Sequence, residues 1–126
     1  MIYKRHFTRE EANRLLPRVQ EALERLRSAR DRLTDPASHE ALAEAAPANG
    51  GGQPGRAVGE AFLELRALLG ELETEGVVVR DLDRGLVDFP ALMEGREVFL
   101  CWEAGEDEVS HWHELEEGYR GRQPLD

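Results

Sequence analysis

The chain has 126 residues, 40% hydrophobic and 33% charged, with a net charge of −10. That is enough for one domain, 1–126, with a modest core and a well-solvated surface. The charge is uneven: residues 1–75 carry 11 basic and 13 acidic side chains, whereas residues 76–126 carry 5 and 13. An acidic surface repels phosphate backbones and anionic lipid, so we expect no nucleic acid and no membrane among its partners. It favours cations or a basic protein partner. No apolar run reaches the length of a membrane span, and Met1–His6 lacks the apolar core of a secretory signal, which predicts a cytoplasmic protein. Cys101 is the single cysteine, which leaves no internal disulfide and no all-cysteine zinc site.

Tyr3 to Phe7 reads as an extended lead-in. Thr8 with Glu11 forms a capping box, and an apolar rhythm from Ala12 through Leu16, Val19, Leu23 and Leu26 to Leu33 predicts an amphipathic helix over 8–33. Pro17 lies inside it and is expected to kink it, since it removes the hydrogen bond back to Asn13. Asp35-Pro36 ends that helix and can cap a short one through residues 38–46. Residues 47–56, rich in glycine and proline, read as a flexible connector. They lack the Lys-Ser/Thr of a phosphate-binding loop. A second amphipathic helix spans 57–75, on Val58, Ala61, Leu65, Leu68 and Leu72, and Gly76 ends it. Two matched stripes predict an antiparallel helical hairpin, and the same stripes can pair two chains into a homodimer.

Beyond Gly76 the texture becomes β. Val77-Val78-Val79, Leu86 to Ala91, Glu97 to Glu103 and Glu108 to His113 read as strands, with turns at Glu94-Gly95 and Gly105. Pro90 marks an edge or the end of its segment. The prediction is a small antiparallel sheet over 77–114 with a tail, 115–126, pinned by Tyr119 and Leu125. The fold class is α+β, a helical hairpin packed on a C-terminal sheet.

Phe7-Thr8, Glu11-Ala12-Asn13, Leu15-Leu16-Pro17, Gly85-Leu86-Val87-Asp88-Phe89-Pro90-Ala91, Cys101-Trp102, Gly105-Glu106 and Trp112-His113 together carry a resemblance. The chain resembles the bacterial family catalogued as domain of unknown function 2203, over nearly its whole length except the glycine-rich connector. The resemblance implies a complete one-domain bacterial protein. It brings no activity, substrate or catalytic residue, so the site has to come from the residues.

The stretch best suited to chemistry is Ser110-His111-Trp112-His113-Glu114. On a strand, alternation puts His111 and His113 on one face, about 6.5–7 Å apart at the backbone. Two imidazoles so placed can converge on a divalent transition metal, zinc, nickel or iron. Glu114, Glu117, Asp81, Asp83 and Asp88 are the carboxylates that can complete the set, and an open position would then activate water. Trp112 alternates with the histidines. If Trp112 faces the core they point to water; if Val109 does, it takes them inward, where each needs only a hydrogen-bond partner.

Asp88 sits among Val87, Phe89 and Pro90. If buried it needs a partner, and Arg80, Arg84 and Arg96 are the candidates. It is either a ligand or general base in a pocket, or an Asp bonding backbone amides before a turn. Cys101, beside Trp102, is either an inert small hydrophobe or a nucleophile served by His111 or His113. The function expected is a ligand-binding module with a divalent-metal site. The alternatives are a homo-oligomeric interaction protein and a metal-assisted hydrolase.

Overall fold

The computed structural model describes residues 1–34 and 53–126; the expected helix over 38–46, its Asp35 cap and the connector up to residue 52 lie outside them. The class is α+β: α1 (Arg9–Thr34) and α2 (Gln53–Glu75) precede β1 (Val78–Asp81), β2 (Leu86–Met93), β3 (Arg96–Glu103), β4 (His111–Glu114) and β5 (Gln123–Pro124), with a 3-10 turn at Tyr119–Gly121. The strands form one antiparallel meander in the order β1-β2-β3-β4-β5.

The capping box forms as drawn: the Thr8 amide donates to Glu11 Oε1 (2.8 Å) and the Glu11 amide to Thr8 Oγ1 (3.1 Å). α1 runs through Pro17 as one element. α2 begins at Gln53, ahead of the large apolar side chains that mark it in the sequence; Pro54 falls in the first turn, where a missing N–H costs no helical bond. It ends in a Schellman motif, with Gly76 at φ 91° and the amides of Gly76 and Val77 donating to Glu73 and Leu72 carbonyls.

Two compact units divide the chain, Met1–Leu23 with Leu72–Asp126, and Glu24–Glu71. The second unit buries Leu26, Ala29, Ala61 and Leu68, and Arg25 and Arg32 both reach Glu64. The first unit holds the sheet. Val87, Phe89, Ala91, Val98, Leu100 and Trp102 are all buried, and their register places them on one face. Phe7 meets Phe89 edge-on at 5.3 Å between centroids. The first turns of α1 are tied to the segment before β4: Asn13 Oδ1 accepts the Val109 amide (2.6 Å), and Arg9 Nε donates to the Val109 carbonyl (2.9 Å).

Pro90 realises one of the two alternatives the sequence left open, and the tail goes beyond the sequence reading. Pro90 does not end its strand; it pairs with Phe99 in the middle of β2. Its carbonyl, and therefore the side where its N–H is missing, faces away from β3, beyond the end of β1, where the Phe7 amide supplies the bond (2.7 Å). The strand is locally an edge there. The tail also joins the sheet, since β5 pairs with β4 and the Leu125 amide donates to the Ser110 carbonyl (2.8 Å).

The extended lead-in is held by Glu97, which accepts from the amides of Ile2 (2.8 Å) and Tyr3 (3.0 Å) and from His6 Nε2 (2.9 Å). The His6 bond first, then the Tyr3 amide, hold the Glu97 carboxyl at about 2, against the opposing effect of burial.

Gly85 closes the β1–β2 turn at φ 65°, and a Cβ there would lie 2.5 Å from the Ala104 Cβ. Gly95, in the β2–β3 turn at φ 80°, faces open space. Gly85→Ala is expected to cost about 2–4 kcal/mol, from left-handed strain plus overlap, against about 1 kcal/mol for Gly95→Ala, from strain alone. Urea denaturation of the two variants checks the difference.

Candidate functional site

The register of the three central strands builds the site. Asp88 pairs with Cys101 and Cys101 with His111 in one row; Pro90 pairs with Phe99 and Phe99 with His113 in the next. Directly opposed residues share a face, and so do alternate residues along a strand. Asp88, Cys101, Phe99, His111 and His113 therefore share the face opposite the apolar one. Trp112, paired with Leu100, lies on the apolar side. His113 is nevertheless only 2% exposed, because this second face is covered as well: Phe99 lies 5.4 Å from its ring, and Tyr3 packs edge-on to Phe99.

Both ring nitrogens of His113 meet atoms that can only accept. Nδ1 lies 2.8 Å from the Glu114 carbonyl and Nε2 lies 3.0 Å from Asp88 Oδ1. Both must donate, so the ring is an imidazolium. Burial works against that charge, but the bonds to Asp88, to Cys101 and to the Glu114 carbonyl outweigh it, and the pKa is pushed up to about 10 from 6.5. Asp88, 2% exposed, uses its other oxygen for Arg80, whose Nε donates to Oδ2 at 2.8 Å. A bulge between Val79 and Asp81 leaves Arg80 unpaired in β1, and bulges turn a side chain out of the regular alternation.

Cys101 completes the cluster. One carboxylate oxygen of Asp88, the Cys101 sulfur and one ring nitrogen of His113 lie within 4.8 Å of one another, all three residues buried. A cavity of about 300 Å³ opens over them, with Arg80, Glu116, Glu117 and Tyr119 also in its walls.

The other residues singled out in the sequence stand apart from this centre. His111 is half-buried, its Nδ1 3.1 Å from Ser110 Oγ and 3.4 Å from Glu106 Oε2. Glu114 presents its carboxylate to Arg96 Nη1 (2.8 Å) on the apolar side of the strand, and only its carbonyl turns to His113. Glu117 is exposed and lines the cavity. Asp81 accepts the Arg84 amide (3.1 Å) within the β1–β2 turn, and Asp83 is exposed in that turn. The Trp102 indole donates to the Glu106 carbonyl (3.0 Å), and Trp112 lies under Arg96, 5.9 Å from guanidinium carbon to ring centroid.

The sequence reading placed Tyr119 in a pinned tail and named Arg80 only as a partner for Asp88; both prove to line the cavity. Tyr119 is flanked by the guanidiniums of Arg84 (4.3 Å) and Arg122 (4.8 Å). Chain distance hid that grouping, and no local motif announces it.

The pH dependence follows from His113, whose folded pKa is raised. The stability it contributes is fully present below about 6.5 and is lost as pH rises through about 10. Urea midpoints of the protein should therefore fall between those values, and Asp88→Asn, which removes the acceptor charge, should flatten the fall.

No curated protein and no solved structure matches the chain. A family model does match, over residues 5–125. The chain belongs to the family described as uncharacterized conserved protein (DUF2203).

Proposed function

We propose that this protein is a small metal-binding module whose ion is held by Asp88, Cys101 and His113. The observation that carries this reading is the convergence of three different donor atoms within 4.8 Å, in buried residues on the floor of a cavity. A nitrogen, sulfur and oxygen set suits zinc, with bonds of about 2.0–2.3 Å, ahead of nickel or iron. The outer bonds suit it too. Nδ1–H of His113 donates to a main-chain carbonyl, which fixes the tautomer that leaves Nε2 to the ion. Arg80 holds the second oxygen of Asp88 in the same supporting way.

The ion competes with a proton. To ligate, His113 has to give up its Nε2 proton, held up to about 10 by its partners, and Cys101 its thiol proton, so affinity rises with pH. When bound, the ion would supply Lewis acidity at the cavity, the property on which the metal-assisted hydrolase reading depends. A thiol nucleophile fits less well. A relay through imidazole needs sulfur on one ring nitrogen and the orienting carboxylate on the other, whereas here Asp88 sits on Nε2 and a carbonyl holds Nδ1.

Protein purified without a histidine tag and dialysed with zinc should hold about one ion per chain, and Cys101→Ala and His113→Gln should hold none. Cys101→Ala is the cleaner variant, since a small apolar side chain replaces a buried thiol. No zinc in the parent at any pH from 7 to 10 sinks the proposal.

Self-association is a second reading, favoured by Phe62, Leu63 and Leu69, which are exposed on α2. Sedimentation equilibrium should then show a concentration-dependent dimer unaffected by chelator, and Leu69→Glu with Phe62→Glu should return it to monomer.

A further inference from the structure

Arg80 is held on one side only. Its Nε is taken by Asp88, its guanidinium carbon lies 4.9 Å from the Phe99 ring centroid, and 43% of its side chain is exposed. Among the described residues nothing accepts from its two terminal nitrogens. The cavity of about 300 Å³ includes Arg80 in its wall, beside the Asp88-Cys101-His113 floor. A guanidinium anchored by Nε and backed by an aromatic ring presents a planar fork of N–H donors whose orientation is already set. That fork matches the two oxygens of a carboxylate.

We infer that the cavity binds a small monocarboxylate, its carboxylate on the terminal nitrogens of Arg80 and its neighbouring atoms over the Asp88-Cys101-His113 floor. The inference rests on the metal reading for its second anchor: a 2-hydroxy carboxylate could place its hydroxyl at the ion's open position. The volume limits the ligand to a small molecule. Charge selects the class further. Glu116 and Glu117 line the same cavity, so each additional negative charge on a ligand is repelled, and a dianion such as phosphate is disfavoured against a monocarboxylate.

The test is an NMR titration with glycolate that follows the Nε–Hε resonance of Arg80, in zinc-loaded and zinc-free protein, with inorganic phosphate as the competitor. A saturable shift is expected in both forms, tighter with zinc. Arg80→Gln, followed by isothermal titration calorimetry, should weaken glycolate binding by at least about tenfold, with Arg80→Lys in between, because one charged bidentate contact is lost. Melting temperatures identify a variant that has merely unfolded, and Arg80→Lys then decides. Absence of a saturable shift in either form overturns the inference, as does Arg80→Gln binding glycolate like the parent, or phosphate binding as tightly as glycolate. Failure to take up zinc at all sinks the metal reading instead. The zinc-free titration then judges the carboxylate site by itself.

Discussion

The chain of charges His113–Asp88–Arg80 is the interaction on which the rest of the sheet depends. Asp88 and His113 are each only 2% exposed, so neither charge can be left to water. Asp88 divides its two oxygens between the imidazolium and the guanidinium, and His113 spends both protons on acceptors. Removing one member of such a buried pair typically costs about 3–5 kcal/mol. That is a large part of the roughly 5–15 kcal/mol by which a small domain is stable. The three central strands must therefore keep one register, since a slip by a single residue would carry Asp88 and His113 to opposite faces.

Stability and chemistry share this pair. The proton that makes His113 a good partner for Asp88 occupies the nitrogen that an ion would need. In the metal-binding reading proposed above, proton and metal would be alternative occupants of one centre, with pH moving the balance between them. Cys101 lies opposite Asp88 on the neighbouring strand and would offer such an ion a soft donor as its thiolate.

The sheet has two covered faces, and each is covered differently. One is the ordinary apolar face, with Phe7 set against Phe89. The other carries the polar centre and is closed partly by the N-terminal lead-in, which Glu97 holds by two backbone amides and His6. Burial on both faces explains why β2 reads LVDFPALM, with Asp88 and Pro90 embedded in an otherwise apolar strand. The acid is there for its partners, and the proline lies where β1 has already ended.

Local pattern was enough for α1 and α2, the capping box, the Gly76 stop and the antiparallel strands, because each is decided by neighbours within a few residues. Alternation also placed His111 and His113 on one face, and burial chemistry named Arg80 among the partners open to Asp88. Three-dimensional pairing decided the rest. Which histidine is buried depends on what covers the sheet; which carboxylate meets it depends on β2–β3–β4 register, joining residues 25 apart. Glu114, adjacent to His113 in sequence, is turned to the opposite face by the same alternation that brings distant Asp88 to it. Of the carboxylates the sequence offered, the side chain of distant Asp88 meets the ring and that of adjacent Glu114 does not, because a strand sends adjacent side chains apart. Only the folded sheet gathers Asp88, Cys101 and His113 into one centre.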